Sequence, residues 1–312
     1  MKEKEIFRKY RVWFLLAGFV LIVSVAYPRF LESSNLFNVL RQTSINAIIA
    51  AGMTFAILTG GIDISVGSAL AFAGAVGAQL VLSGLPIWII LPAVLLIGIA
   101  AGLINGILIA RANLQPFIAT LVTQTILRGA TLVFTSGKPI SFSTSSPAGA
   151  SFKWIGAGSI GPVPVPVILM ILVFVILWFV LNHTAFGRYI YAVGGNEEAA
   201  KLSGVNTMWV KVSAYVICGV TTAIAALIVT ARLTSAQPSA GEGYELDAIA
   251  AVVLGGTSML GGQGDILGTI VGALIIGILN NSLNLMNVSS YYQTIIKGLV
   301  ILFAVLLDRR KK

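Results

Sequence analysis

One stretch of this chain gathers polar side chains at spacings that could recognise another molecule: His183–Lys211, HTAFGRYIYAVGGNEEAAKLSGVNTMWVK, set between long apolar runs. Its chemistry is docking rather than bond making. Large side chains from Arg188 to Tyr191 follow Gly187, and Gly194-Gly195 interrupts them. Asn196 has the side chain to cap a new short helix, whose first turn carries Glu197 and Glu198 near the positive helix end. Ala199, Ala200 and Leu202 give that helix a small face, and Gly204 can end it. Two short segments joined by glycines suit insertion into a partner's cleft. An ordinary interfacial loop, its charges serving topology alone, fits the same residues.

Covalent and ion-coupled chemistry find little support. His183 is the single histidine, and Cys218, the single cysteine, lies in an apolar run and reads as a small packing residue. There is no H-E-x-x-H and no G-x-x-x-x-G-K-[ST]. Asp63, Glu242, Glu245, Asp247 and Asp265 all fall near the ends of apolar runs, so no buried proton or sodium relay is visible. A membrane-embedded enzyme would need catalytic side chains clustered at one depth, and none are found. If the protein moves a solute uphill, the energy comes from a partner.

The elements that hold this loop are membrane helices. Of 312 residues, 57 % are apolar and 10 % charged, against about a quarter charged in soluble domains. Mean hydropathy is +0.95. An all-α, polytopic membrane protein follows, a single transmembrane domain over 1–312. The net charge of +9 is concentrated at Lys2–Arg11 and Asp308–Lys312, flanking spans. The positive-inside rule accounts for these clusters without nucleic acid and puts both termini in the cytoplasm.

Spans of about 20 apolar residues can be placed along the chain. They are Val12–Tyr27 (a retained helix rather than a cleaved signal), Ser44–Thr59, Ile64–Ser83, Pro86–Ala110, Leu114–Phe134, one from the PVPVP run to Leu181, Val210–Thr230, Ala248–Leu260, Ile266–Leu285 and Tyr292–Leu307. The total of about ten suits two termini on one side. Pro28–Thr43 reads as a short interfacial helix, and 136–163, rich in Ser, Gly and Pro, as an irregular outer loop. Gly98, Gly102 and Gly106 make a small-residue stripe for close helix packing. Gln124 and Arg128 are costly in lipid and should face protein or water.

Two regions echo one another at a constant offset. Ala47-Ile48 corresponds to Ala248-Ile249, Gly60-Gly61 to Gly261-Gly262 and Gly67 to Gly268, within 44–110 and 245–307. A parallel two-half repeat and a chance recurrence of abundant residues are both open. The second and eighth spans are short, which would leave both glycine pairs at membrane depth, shielded by protein.

The run TAFGRYIYAVGGNEEAAKLSGV resembles the cytoplasmic loop of permease subunits of sugar-importing ABC transporters, the branch carrying ribose, xylose, galactose and related solutes. NAIIAAGMTFAILTGGIDISVGS (Asn46–Ser68), NGILIARANLQPFIATL (Asn105–Leu121) and GYELDAIAAVVLGGTSMLGGQG (Gly243–Gly264) agree. The resemblance spans nearly the whole chain and is strongest to ribose permeases. It implies a homodimer in the bacterial inner membrane, with cytoplasmic ATPase subunits, separate or fused, that bind the ATP. It also implies a periplasmic or lipid-anchored sugar-binding protein, and no cofactor or metal on this chain.

By the same resemblance 183–211 is the coupling loop, with Gly187, Arg188, Gly194, Gly195, Asn196, Glu197, Ala199, Ala200, Ser203 and Gly204 transmitting ATPase closure. A pentose path needs polar groups that match hydroxyls, for which Asn105, Gln124, Arg128, Asn280 and Asn284 are candidates, with Asn281 in the same run. Asn280 and Asn284 share a helix face. Asparagines near a span end equally suit capping or gluing helices. Asp63 and Glu245 are expected to stabilise turns or meet the binding protein. Another sugar, a nucleoside or autoinducer-2 would suit the same machinery, and a passive channel is the distant alternative.

Overall fold

The computed structural model describes residues 2–309, with side chains placed for 12–303 and for 306. The basic clusters at Lys2–Arg11 and Asp308–Lys312 therefore lie outside the described side chains. The chain is almost entirely helical. In order, α1 spans Lys2–Ala26, α2 Ser33–Leu58, α3 Val66–Leu82, α4 Ile87–Ala110, α5 Pro116–Thr135, α6 Pro147–Ala157 and α7 Val165–His183. Then come α8 Ala185–Gly195, α9 Glu197–Leu202, α10 Thr207–Leu233, α11 Tyr244–Leu254, α12 Ile266–Leu285 and α13 Ser290–Arg309. Among the described residues, α4, α5, α7, α10 and α12 are long and apolar enough to cross a membrane.

Helix α10 is the axis of the bundle. Its buried face is built from small residues, Ala214, Gly219, Ala223 and Ala226 among them, so neighbours come close. The glycine stripe on α4 is used for this approach. A Cβ on Gly98 would lie 2.2 Å from the Gly219 carbonyl oxygen, and one on Gly102 2.3 Å from that of Tyr215. Where lipid offers no hydrophobic drive between helices, such backbone proximity supplies the attraction. Cys218 is fully buried here, against Gly52 of α2.

Two sequence expectations are corrected. Residues 33–43 do not form a separate interfacial helix: α2 runs unbroken through them, preceded by a 3-10 turn at Pro28–Leu31. Its 26 residues rise about 39 Å, so it is not a short element. Some of the polar side chains over 32–43 turn inward, Asn35 and Thr43 among them, while Glu32, Ser33, Ser34, Asn38 and Gln42 stay exposed. Asn35 and Asn281 exchange amide hydrogen bonds of 3.1 and 2.9 Å between α2 and α12. The eighth span is indeed short, since α11 has 11 residues.

Nor is 136–163 irregular. Ser146 caps α6 by accepting from the Gly149 amide at 3.0 Å, Pro147 occupies its first turn, and Phe152 is fully buried. Strand β1 (Ile140–Ser141) pairs antiparallel with β4 (Ser235–Ala236), after the hairpin of β2 (Ser159–Ile160) and β3 (Val163–Pro164). This segment is thereby folded onto the end of α10.

Candidate functional site

The polar island folds as its capping residues dictate. Thr184 accepts from the Gly187 amide at the start of α8, and Asn196 accepts from the Ala199 amide at 2.9 Å at the start of α9. Gly204, at φ +84°, ends α9. Arg188, Gly195, Asn196, Glu197, Ala199, Ser203 and Gly204 are exposed. Gly187 and Ala200 are buried, and Gly194 is half-buried. Glu197 is bridged to Lys211 of α10, and Leu202, 90 % exposed, is a bare apolar contact on the same surface.

The two glycines of the central pair face different ways. A Cβ on Gly194 would lie 1.8 Å from the Leu58 carbonyl oxygen and 2.5 Å from the Gly262 amide nitrogen. Gly195 has open space in its Cβ direction. The close approach expected towards a partner is thus made by Gly194 towards the chain's own turns. The Gly262 amide donates to the Leu58 carbonyl at 2.9 Å. Gly60 and Gly261 share the left-handed backbone, φ +82° and +86°, that glycine adopts without steric cost. Three glycine pairs, 60–61, 194–195 and 261–262, therefore meet backbone to backbone at one end of the bundle. Tyr191 adds a hydrogen bond of 2.9 Å to the Gly264 carbonyl. Burial first, and Asp265 second, raise its phenol pKa, so Tyr191 stays a donor. Beside the junction lies a cavity of about 460 Å³, bordered by Asn113, Gln115, Glu197, Lys211 and Tyr215.

The five path candidates are not brought together. Asn105 is fully buried and donates 2.8 Å to Ser65 Oγ and 3.2 Å to Asp63 Oδ1. Asp63 in turn accepts from the Ser65 amide at 2.9 Å, so Asn105 and Asp63 fix the turn into α3, as foreseen for Asp63. Gln124 is half-buried on α5, remote in sequence and element from the asparagines. Arg128 donates to the carbonyls of Pro238 and Ala240 and holds the loop before α11. Glu245 accepts from the Gly243 amide within its own turn.

Asn280 and Asn284 do share a site. They line a second cavity, of about 230 Å³, at the end of the bundle opposite the glycine junction, together with Asn46, Asp247, Gln293 and Lys297. Asp247, 3 % exposed, receives hydrogen bonds from Asn46 at 3.2 Å and Lys297 at 3.0 Å. Sequence reasoning missed this charge pair. Lys297, a lone base within the apolar last span, was the available signal.

A family model described as "Branched-chain amino acid transport system / permease component" matches residues 35–305. The chain is 54 % identical over 298 residues to the ribose import permease protein RbsC of Haemophilus influenzae, covering 96 % of this chain and 92 % of that one. It is 54 % identical to RbsC of Bacillus subtilis (94 % and 90 % covered) and 42 % identical to the D-allose transport system permease protein AlsC of Escherichia coli (96 % and 91 %). No solved structure matches.

Proposed function

This chain belongs to the family of permease components of the branched-chain amino acid transport type, and from that membership we propose that it is the membrane subunit of an ABC importer for ribose or a close relative of ribose. The observation that carries the reading is the glycine junction. The exposed loop 184–206 is seated by Gly194 directly on the turns that close α2 and follow α11. A force applied to that loop reaches two helices at once. The curated relatives named for ribose and allose import support the solute class.

In this reading α1–α5, α7 and α10–α13 are ten spans, α8 and α9 face the cytoplasm, and α6 lies outside. Two copies form the pore. ATPase subunits, which bind the ATP, dock on the surface around Gly195, Asn196 and Glu197, and a binding protein delivers sugar at the face carrying α6. The chain itself carries out no chemistry on the sugar. The echo between 44–110 and 245–307 is read as a parallel repeat, supported by the matched turns at Gly60 and Gly261.

Reconstitution of the chain in liposomes with its ATPase and binding protein tests this. ATP-dependent D-ribose uptake that disappears when this chain is omitted is expected. Uptake at full rate without ATP hydrolysis would favour a channel, and preference for D-allose would move the solute within the same class.

A further inference from the structure

We propose that the cavity between α2, α11, α12 and α13 is a binding site for one neutral monosaccharide, present in every protomer and separate from any pore shared between two copies. The proposal rests on the sugar-permease reading and gives that reading a place in the molecule.

The size of the cavity limits the occupant. Its volume, about 230 Å³, equals on the order of seven waters at their liquid volume. That is room for a single sugar ring and too little for a disaccharide. Gly277 lets α12 come close to α2 at this wall: a Cβ on it would lie 1.8 Å from the Thr43 hydroxyl, which packs against the glycine.

The wall selects by chemistry. Arg232 and Lys297 against Asp247 leave it slightly positive, which disfavours a cation. Three side chains in the wall hold polar atoms that are closed off and make no hydrogen bond: Thr43 Oγ1, Asn46 Oδ1 and Asn280 Oδ1. The Asn46 amide nitrogen faces Asp247, so its oxygen is the free end. Free amide oxygens require donors, which a carboxylate or phosphate lacks and a hydroxyl supplies. Buried polar atoms without partners are costly, and small side-chain rotations towards a bound polyol would satisfy them. A neutral, hydroxyl-rich ring is the ligand that answers all of these groups.

The test uses the full-length permease in lipid nanodiscs. Asn284, at the exposed rim of the cavity, is changed to cysteine, and its reaction with a small thiol reagent is timed with D-ribose, D-allose, D-galactose or sucrose. Cys218 is fully buried, so the parent protein is the unreactive control. A monosaccharide should slow labelling roughly fivefold when present at about four times its Kd, and sucrose should not. Adding Asn280→Leu to Asn284→Cys should raise the sugar concentration for half-maximal protection roughly tenfold, and unchanged protection would count against the site. If no monosaccharide slows labelling, or the cavity admits water only, the proposal falls whatever the assembly transports. If a monosaccharide protects Asn284→Cys yet ATP-driven uptake is absent, the importer reading falls and the site stands.

Discussion

Asn46 and Asp247 are joined by a hydrogen bond of 3.2 Å and stand 201 positions apart. That is also the separation of Gly60 from Gly261, whose backbones touch at the other end of the same two helices. Residues that correspond in the sequence echo are thus paired in space, and α2 and α11 run side by side in the same direction. The carboxylate adds Lys297 of α13 to this seam.

Removing the carboxylate leaves a lysine in an apolar helix without its counterion. Asp247→Ala should destabilise the protein by about 1–3 kcal/mol, discounted from the fully buried case because Lys297 is partly exposed. The double variant Asp247→Ala, Lys297→Met should recover most of the loss. Thermal unfolding of the detergent-solubilised protein measures both, and additive losses would deny the coupling.

The two junction glycines should separate fold from docking. Gly194→Ala places a methyl against the Leu58 carbonyl and should lower thermal stability and uptake together. Gly195→Trp points into open space, so the protein should remain folded while ATP-dependent uptake falls at least about tenfold. Normal uptake by Gly195→Trp would remove the docking role from this surface.

The Glu197–Lys211 pair sits at the exposed surface of the loop. Glu197→Gln should change stability by under about 1 kcal/mol. Any larger effect on uptake would then report on ATPase contact rather than folding.

Tyr191→Phe deletes the hydrogen bond to Gly264 and should cost about 1 kcal/mol. Its phenol pKa is raised in the folded protein, so this stability is present in full below the ordinary value near 10 and declines as pH rises towards the folded value. Parent and variant should therefore show a constant difference in melting temperature between neutral pH and about pH 9.

Arg128 should prove structural. Arg128→Met frees two carbonyls of the loop before α11, and limited proteolysis should then cut near Pro238. A change in sugar preference with the loop still protected would return Arg128 to the solute path.

Much of this architecture could be read from the sequence because its signals are local. Apolar length marked the helices, and Thr184, Asn196 and Gly204 announced where the island starts, breaks and stops. What escaped depended on partners far along the chain. Asn105 looked like a path residue because nothing near it shows that Asp63, 42 positions away, claims its amide. The mixed stretch Pro28–Thr43 read as interfacial because sequence pattern cannot say whether a polar residue such as Asn35 meets headgroups or another asparagine. Gly194 looked available to a partner for the same reason: its neighbours, Leu58 and Gly262, come from opposite halves of the chain.

The meeting of three glycine pairs also has a mechanical meaning. Side chains cushion small displacements by moving between rotamers, and a contact made only of main chain has no such slack. If the loop is the coupling element, a small shift in it would reach both helices through this main-chain contact as through a pin rather than a spring. Bulk added at this pin would do more than occupy space, because it would put a rotatable side chain where main chain now meets main chain.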